Sequence, residues 1–207
     1  MDAIRLILMY FVVPVWFLAG FADWLCHRRT HIAVTAGPKE SVIHLLMFAE
    51  LGLPLVLALF LEINALLILI MIVAFLVHEV TTWWDLSYAS RHRIIKPIEQ
   101  QVHSFLELMP LLALTLVVAL HWDQFLALWG FGEERARFEL VLRDPPLAPL
   151  YLTSVLVAAL VLEVLPFLEE LWRGWQAKKN GVEHAQSLQR IDREVSDPRP
   201  RSEPWKN

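Results

Sequence analysis

The sequence predicts an all-α integral membrane protein: a bundle of about five transmembrane helices, N-terminus outside and C-terminus inside. Three observations carry this. Hydrophobic residues make up 57% of the 207 and the mean hydropathy is +0.48, above the ~45–50% apolar share of soluble domains. The excess is collected into runs, and a helical crossing needs about 20 apolar residues. Backbone groups in lipid must be satisfied within the segment, which makes such runs helices, and the alternation of barrel strands is absent. The runs give spans at about Ile4–Trp24, Ser41–Leu61, Ile63–Thr82, Val102–His121 and Leu150–Trp172.

Taken in order, the first run ends at Asp23-Trp24 with no small-residue cleavage site, so it is expected to stay as a helix. Spans two and three meet at Glu62-Ile63-Asn64, a tight helical hairpin. Orientation follows from Lys and Arg in the flanking loops. Arg28, Arg29 and Lys39 follow span one, Arg91, Arg93 and Lys96 follow span three, and Arg173, Lys178 and Lys179 follow span five. These loops are assigned to the cytoplasm. In the long outer loop, Arg135, Arg137 and Arg143 are offset by five acids. Trp24, Trp83, Trp84, Trp172 and Trp175 then form an inner aromatic belt, with Trp122 and Trp129 at the outer interface. Residues 1–180 form the membrane domain, and 181–207 are expected to be a disordered cytoplasmic tail. A bacterial plasma membrane is the expected location. Net charge -4 gives no field for nucleic acid, and the single Cys26 excludes an intrachain disulfide.

On this topology six of the eight histidines, His27, His31, His44, His78, His92 and His103, gather at or near the cytoplasmic face. His121 lies outside and His184 in the tail. Acids accompany the six at helical spacing. Asp23, His27 and His31 make one stripe if the helix continues; Glu40 and His44 repeat the four-residue step; Glu99, His103 and Glu107 make another. Asp85 lies seven residues from both His78 and His92. Glu50, Glu107 and Glu163 lie inside spans, each a few residues before a proline, at ~12–15 Å along their helices from the cytoplasmic ends. A lone carboxylate there costs roughly 2.5–3.5 kcal/mol, so a shared cation, proton or polar substrate is expected.

Each residue also has a plainer reading. Glu40 and Glu99 suit the first turn of a helix, where the dipole favours acids. An interfacial histidine is often only a headgroup-level polar residue, and Arg91 and Arg93 set topology or hold a lipid phosphate. The clustering of six histidines and several acids from different spans is what points to metal. Facing helices of four-helix bundles hold paired ions by such projecting carboxylates and imidazoles. The expected ligands are His27, His31, His44, His78, His92, His103, Glu50, Glu107 and Glu163, with Asp23, Asp85 and Glu99 orienting them.

His27-Arg-Arg-Thr-His31 resembles the first box of the histidine-rich membrane hydroxylases and desaturases. The resemblance covers five residues; no adjacent His-His pair occurs in the chain, and the carboxylates depart from that class's mostly histidine ligation. It implies two irons at the cytoplasmic face, activating oxygen against a lipid chain. The expectation is therefore a membrane-embedded metalloprotein holding two transition-metal ions. Iron is favoured over zinc or manganese, and the partner is membrane lipid or another apolar substrate. The competing classes are a metal-ion or proton transporter using the buried glutamates, and a haem protein with paired axial histidines such as His44 and His103.

Overall fold

The computed structural model describes residues 3–181; segment 182–207, with His184 and nearly all of the expected tail, lies outside the described residues. Five helices are long and apolar enough to cross a membrane: α1 (Ala3–Arg29), α3 (Pro38–Phe60), α4 (Ala65–His92), α5 (Pro97–Leu120) and α7 (Pro149–Lys179). Two short ones, α2 (Ile32–Thr35) and α6 (Trp122–Leu128), follow α1 and α5. The five apolar runs match the expected spans in place and number. The helices extend past the runs where polar side chains find partners inside the bundle, so Asp85 and Glu99 both sit on helix.

Local chemistry fixes the ends. Pro38, Pro97 and Pro149 open α3, α5 and α7, where a missing N–H costs nothing. Asn64 caps α4, its side-chain oxygen accepting from the Leu66 and Leu67 N–H groups at 3.1 and 3.2 Å. Within α1 and α7 the backbone widens to π turns at Leu8–Val12 and Leu160–Val164. Pro14 and Pro166 follow these turns. A proline ring clashes with the carbonyl four residues back and offers it no donor, and the wider turn relieves that crowding. Helix α1 stops at Arg29: Thr30 Oγ1 bonds back to the Cys26 carbonyl at 3.0 Å and His31 turns left-handed, φ 56 and ψ 42. The continued stripe Asp23–His27–His31 is thereby broken.

The bundle is apolar outside and, at one end, polar inside. Leu18, Leu53, Val80 and Leu150 are exposed. Apolar surface of this extent suits a lipid environment. Buried apolar side chains fill the other end, in clusters around Val13, Phe17, Leu59 and Val155 and around Ile63, Leu67, Ile68 and Val117. There the loop after α6 lies across the α3–α4 hairpin. Gln124 Oε1 accepts from the Ala65 and Arg137 N–H groups, and Asn64 Nδ2 donates to the Glu139 carbonyl at 2.7 Å.

Candidate metal centre

Packing α1 against α5, and α3 against α4 and α7, brings the polar faces together. Asp23, His27, Glu40, Ser41, His44, Asp85, Arg93, Glu99 and Glu170 are all buried at that end. Glu170 of α7 is the hub. His27 Nδ1 lies 2.9 Å from its Oε2, and His44 Nδ1 lies 3.0 Å from its Oε1. An ionised carboxylate only accepts, so both Nδ1 atoms carry protons and donate. The two rings stack, centroids 4.4 Å apart and planes 13° apart, and Phe167 lies edge-on to both.

This leaves both Nε2 atoms facing acids. His27 Nε2 is 3.3 Å from Asp23 and 3.6 Å from Glu99; His44 Nε2 is 3.4 Å from Asp85 and 3.9 Å from Glu40. His103 Nε2 adds a third imidazole, 3.0 Å from Asp23 Oδ1. Most of these distances exceed a hydrogen bond's 2.7–3.2 Å. The 3.0, 3.3 and 3.4 Å separations fall in the ~3.0–3.5 Å range of two ligand atoms that each lie ~2.1 Å from one ion; the 3.6 and 3.9 Å separations to Glu99 and Glu40 are longer. Two groups have one ligand atom per residue mutually within 4.8 Å: Asp23, His27, Glu99 and His103, and His27, Glu40 and His44.

Arg93 ties the two groups together. Its Nε and Nη2 donate to Glu40 Oε1 at 2.9 and 2.6 Å, and its Nη1 donates to Glu99 Oε1. Burial works against its charge, but Glu40 and Glu99 outweigh burial and raise its pKa. The second oxygens, Glu40 Oε2 and Glu99 Oε2, are buried without a hydrogen-bond partner, as is His27 Nε2. Such orphaned atoms are costly unless something else binds them.

The expected ligands divide. His27, His44 and His103 come together, with Asp23, Asp85 and Glu99 carboxylate oxygens 3.0–3.6 Å from their Nε2 atoms. His78 and Glu50 form a separate pair at 3.6 Å, with Thr81 Oγ1 donating to Glu50 at 2.7 Å. Glu163 is buried on its π turn, so close to Gly20 that a Cβ there would overlap its carboxylate. Glu107 is exposed on α5. His31 is exposed, and His92 Nδ1 donates to the Tyr88 carbonyl at 2.7 Å while its ring stacks on Tyr88. None of these six belongs to either group among the described residues.

Glu170 and the binding role of Arg93 were not legible as site features. A signal existed for Glu170: it lies seven residues after Glu163, two turns along one helix face. A cavity of about 120 Å³ adjoins the centre. Asp23, His44, Asp85 and His103 line its polar end, and apolar walls such as Phe17, Phe48 and Leu55 continue into the bundle. No known family model, no curated protein and no solved structure matches the chain.

Proposed function

We propose that this chain is a multi-pass membrane metalloprotein with a two-cation centre that acts on a lipid or other apolar substrate, as an oxidoreductase if the ions are iron. One observation carries the proposal: His27 and His44 give their Nδ1 protons to one buried carboxylate and turn both Nε2 atoms toward acids at 3.3–3.9 Å. A carboxylate behind a histidine fixes the tautomer that a metal needs. The first ion is assigned to Asp23, His27, Glu99 and His103, the second to Glu40, His44 and Asp85. Charge supports two ions. Among the described residues, Asp23, Glu40, Asp85, Glu99 and Glu170 are buried beside a single buried guanidinium, Arg93. With the histidines neutral, four negative charges remain, which two divalent cations balance. Imidazole with carboxylate oxygen suits iron, manganese or zinc, and we take iron as the leading candidate. When bound, such ions supply Lewis acidity or redox capacity beside the cavity. The chain's own part is to hold the ligands, exclude water with Phe167 and offer the apolar walls to substrate.

The lysine and arginine distribution supports placing this end of the bundle in the cytoplasm. A reporter fused after Arg93 is expected to read cytoplasmic, and one after Glu134 external.

The deciding experiment is elemental analysis of the full chain, purified in detergent through a tag without histidines. Two ions per chain are expected, falling with Glu99→Gln and with His44→Ala. Protein that purifies metal-free and binds none on titration would overturn the proposal. The cluster would then be a set of imidazolium–carboxylate pairs, as a proton path requires. Metal flux through reconstituted vesicles would mark a transporter instead.

A further inference from the structure

A second cavity, of about 150 Å³, lies at the opposite end of the bundle. Its lining includes Arg5, which precedes Asp23 on α1 by about 27 Å of helix. Its walls are apolar over most of their extent, with Leu8, Leu59, Val117 and Leu147 among them. The two cavities share Trp16, Leu51 and Leu55 as a common wall. At its mouth stand Arg5, His121 and Arg143.

Among the described residues, the cations are short of counter-charge. Arg143 Nη2 caps α3 by donating to the Ala58 carbonyl at 2.9 Å, but its Nε is buried without a partner. Burial lowers the Arg143 pKa, and Arg5 lowers it further by like-charge repulsion; Glu62 is the acid that opposes them. Glu62 also faces Arg137, at 3.5 Å. The His121 imidazole is held below its usual range by burial, then by Arg143, Arg5 and Arg137. This is a positive mouth on an apolar cavity between spans.

We propose that this cavity binds one anionic phospholipid, its phosphate held by Arg5 and Arg143 beside His121 and an acyl chain lying between α1, α3, α5 and α7. An arginine fork matches phosphate oxygens, and a buried donor without a partner is what an incoming acceptor satisfies. A free phosphate would meet the same charges but leave the apolar cavity unfilled, which favours the lipid. The proposal rests on the spans lying in lipid and is independent of the metal centre.

The test is native mass spectrometry and thermal unfolding of the detergent-purified full chain. The probes are phosphatidylglycerol, phosphatidylcholine with the same chains, and inorganic phosphate alone. One phosphatidylglycerol per chain should be retained in preference to phosphatidylcholine, and inorganic phosphate should not be retained. Each arginine near lipid contributes ~1 kcal/mol, so Arg5→Gln and Arg143→Gln should each weaken phosphatidylglycerol retention about fivefold. Arg5 is exposed, so Arg5→Gln remains informative if the Arg143 variant, which loses a helix cap, fails to fold. Equal retention of the two lipids, or phosphatidylglycerol retention unchanged in Arg5→Gln, would overturn the proposal. Inorganic phosphate binding as tightly as the lipid would replace it with a small-anion site.

Discussion

Replacing Glu170 by Gln is the sharpest test of the centre, because the two residues differ by one hydrogen-bond role. The carboxylate accepts from two imidazoles, at 2.9 and 3.0 Å. A carboxamide has one acceptor oxygen and a donating NH2. The oxygen keeps one histidine in its present tautomer. The NH2 faces the other Nδ1, which must now accept, so that ring's proton moves to Nε2 and blocks the atom that a metal needs. One ion should lose one histidine ligand, His27 or His44, while the other keeps a neutral orienting partner. Loss of such a partner typically weakens metal binding 10–100-fold, about 1.4–2.7 kcal/mol. Metal-stripped protein titrated back with iron(II) or zinc should therefore show two ions in the parent. The variant should show one ion near parental affinity and one weaker by about 10–100-fold. Thermal unfolding of the metal-free variant controls for misfolding. Two ions bound at parental affinity in folded Glu170→Gln would refute the assignment of Glu170 as the carboxylate that sets both tautomers.

Arg93→Met strands Glu40 and Glu99 as buried charges; removing one partner of a buried ion pair costs about 3–5 kcal/mol, to be read from detergent unfolding at fixed metal. The Arg93 pKa is raised, so its stabilisation is fully present below the unfolded guanidinium range and is lost only as pH rises past the raised folded value; the loss in Arg93→Met should therefore be constant across ordinary pH. Metal affinity should fall as pH is lowered, because protons compete for the ligand nitrogens; a flat affinity profile down to pH ~5 would exclude histidine ligation. Gly20→Ala places a Cβ on the Glu163 carboxylate and should cost about 1–3 kcal/mol, and adding Glu163→Ala should restore most of it, since the two sites touch; purely additive losses would show that Gly20 is needed for another reason.

Much of the architecture is settled by composition along the chain. Five apolar runs in 207 residues dictate five long helices, because the backbone has no other way to satisfy itself over such lengths in lipid. The prolines at 38, 97 and 149 and Asn64 mark helix starts directly, by removing a donor or supplying an acceptor. Four-residue spacing within single helices also carried part of the centre: Asp23 with His27, Glu40 with His44, and Glu99 with His103 each share a face. What spacing could not supply is which faces meet. Glu170 reaches His27 across 143 positions and His44 across 126, a relation set by the packing of α7 and not by any local rule. The left-handed turn at His31 removed one member of an apparent stripe. The exposure of Glu107 and the pairing of Glu50 with Thr81 separated acids whose positions along their helices look equivalent. Depth along a helix is written in the sequence, whereas rotation about its axis and choice of neighbour are tertiary. Those two freedoms decided that Arg93, expected to set topology or hold a lipid phosphate, would instead bridge Glu40 and Glu99.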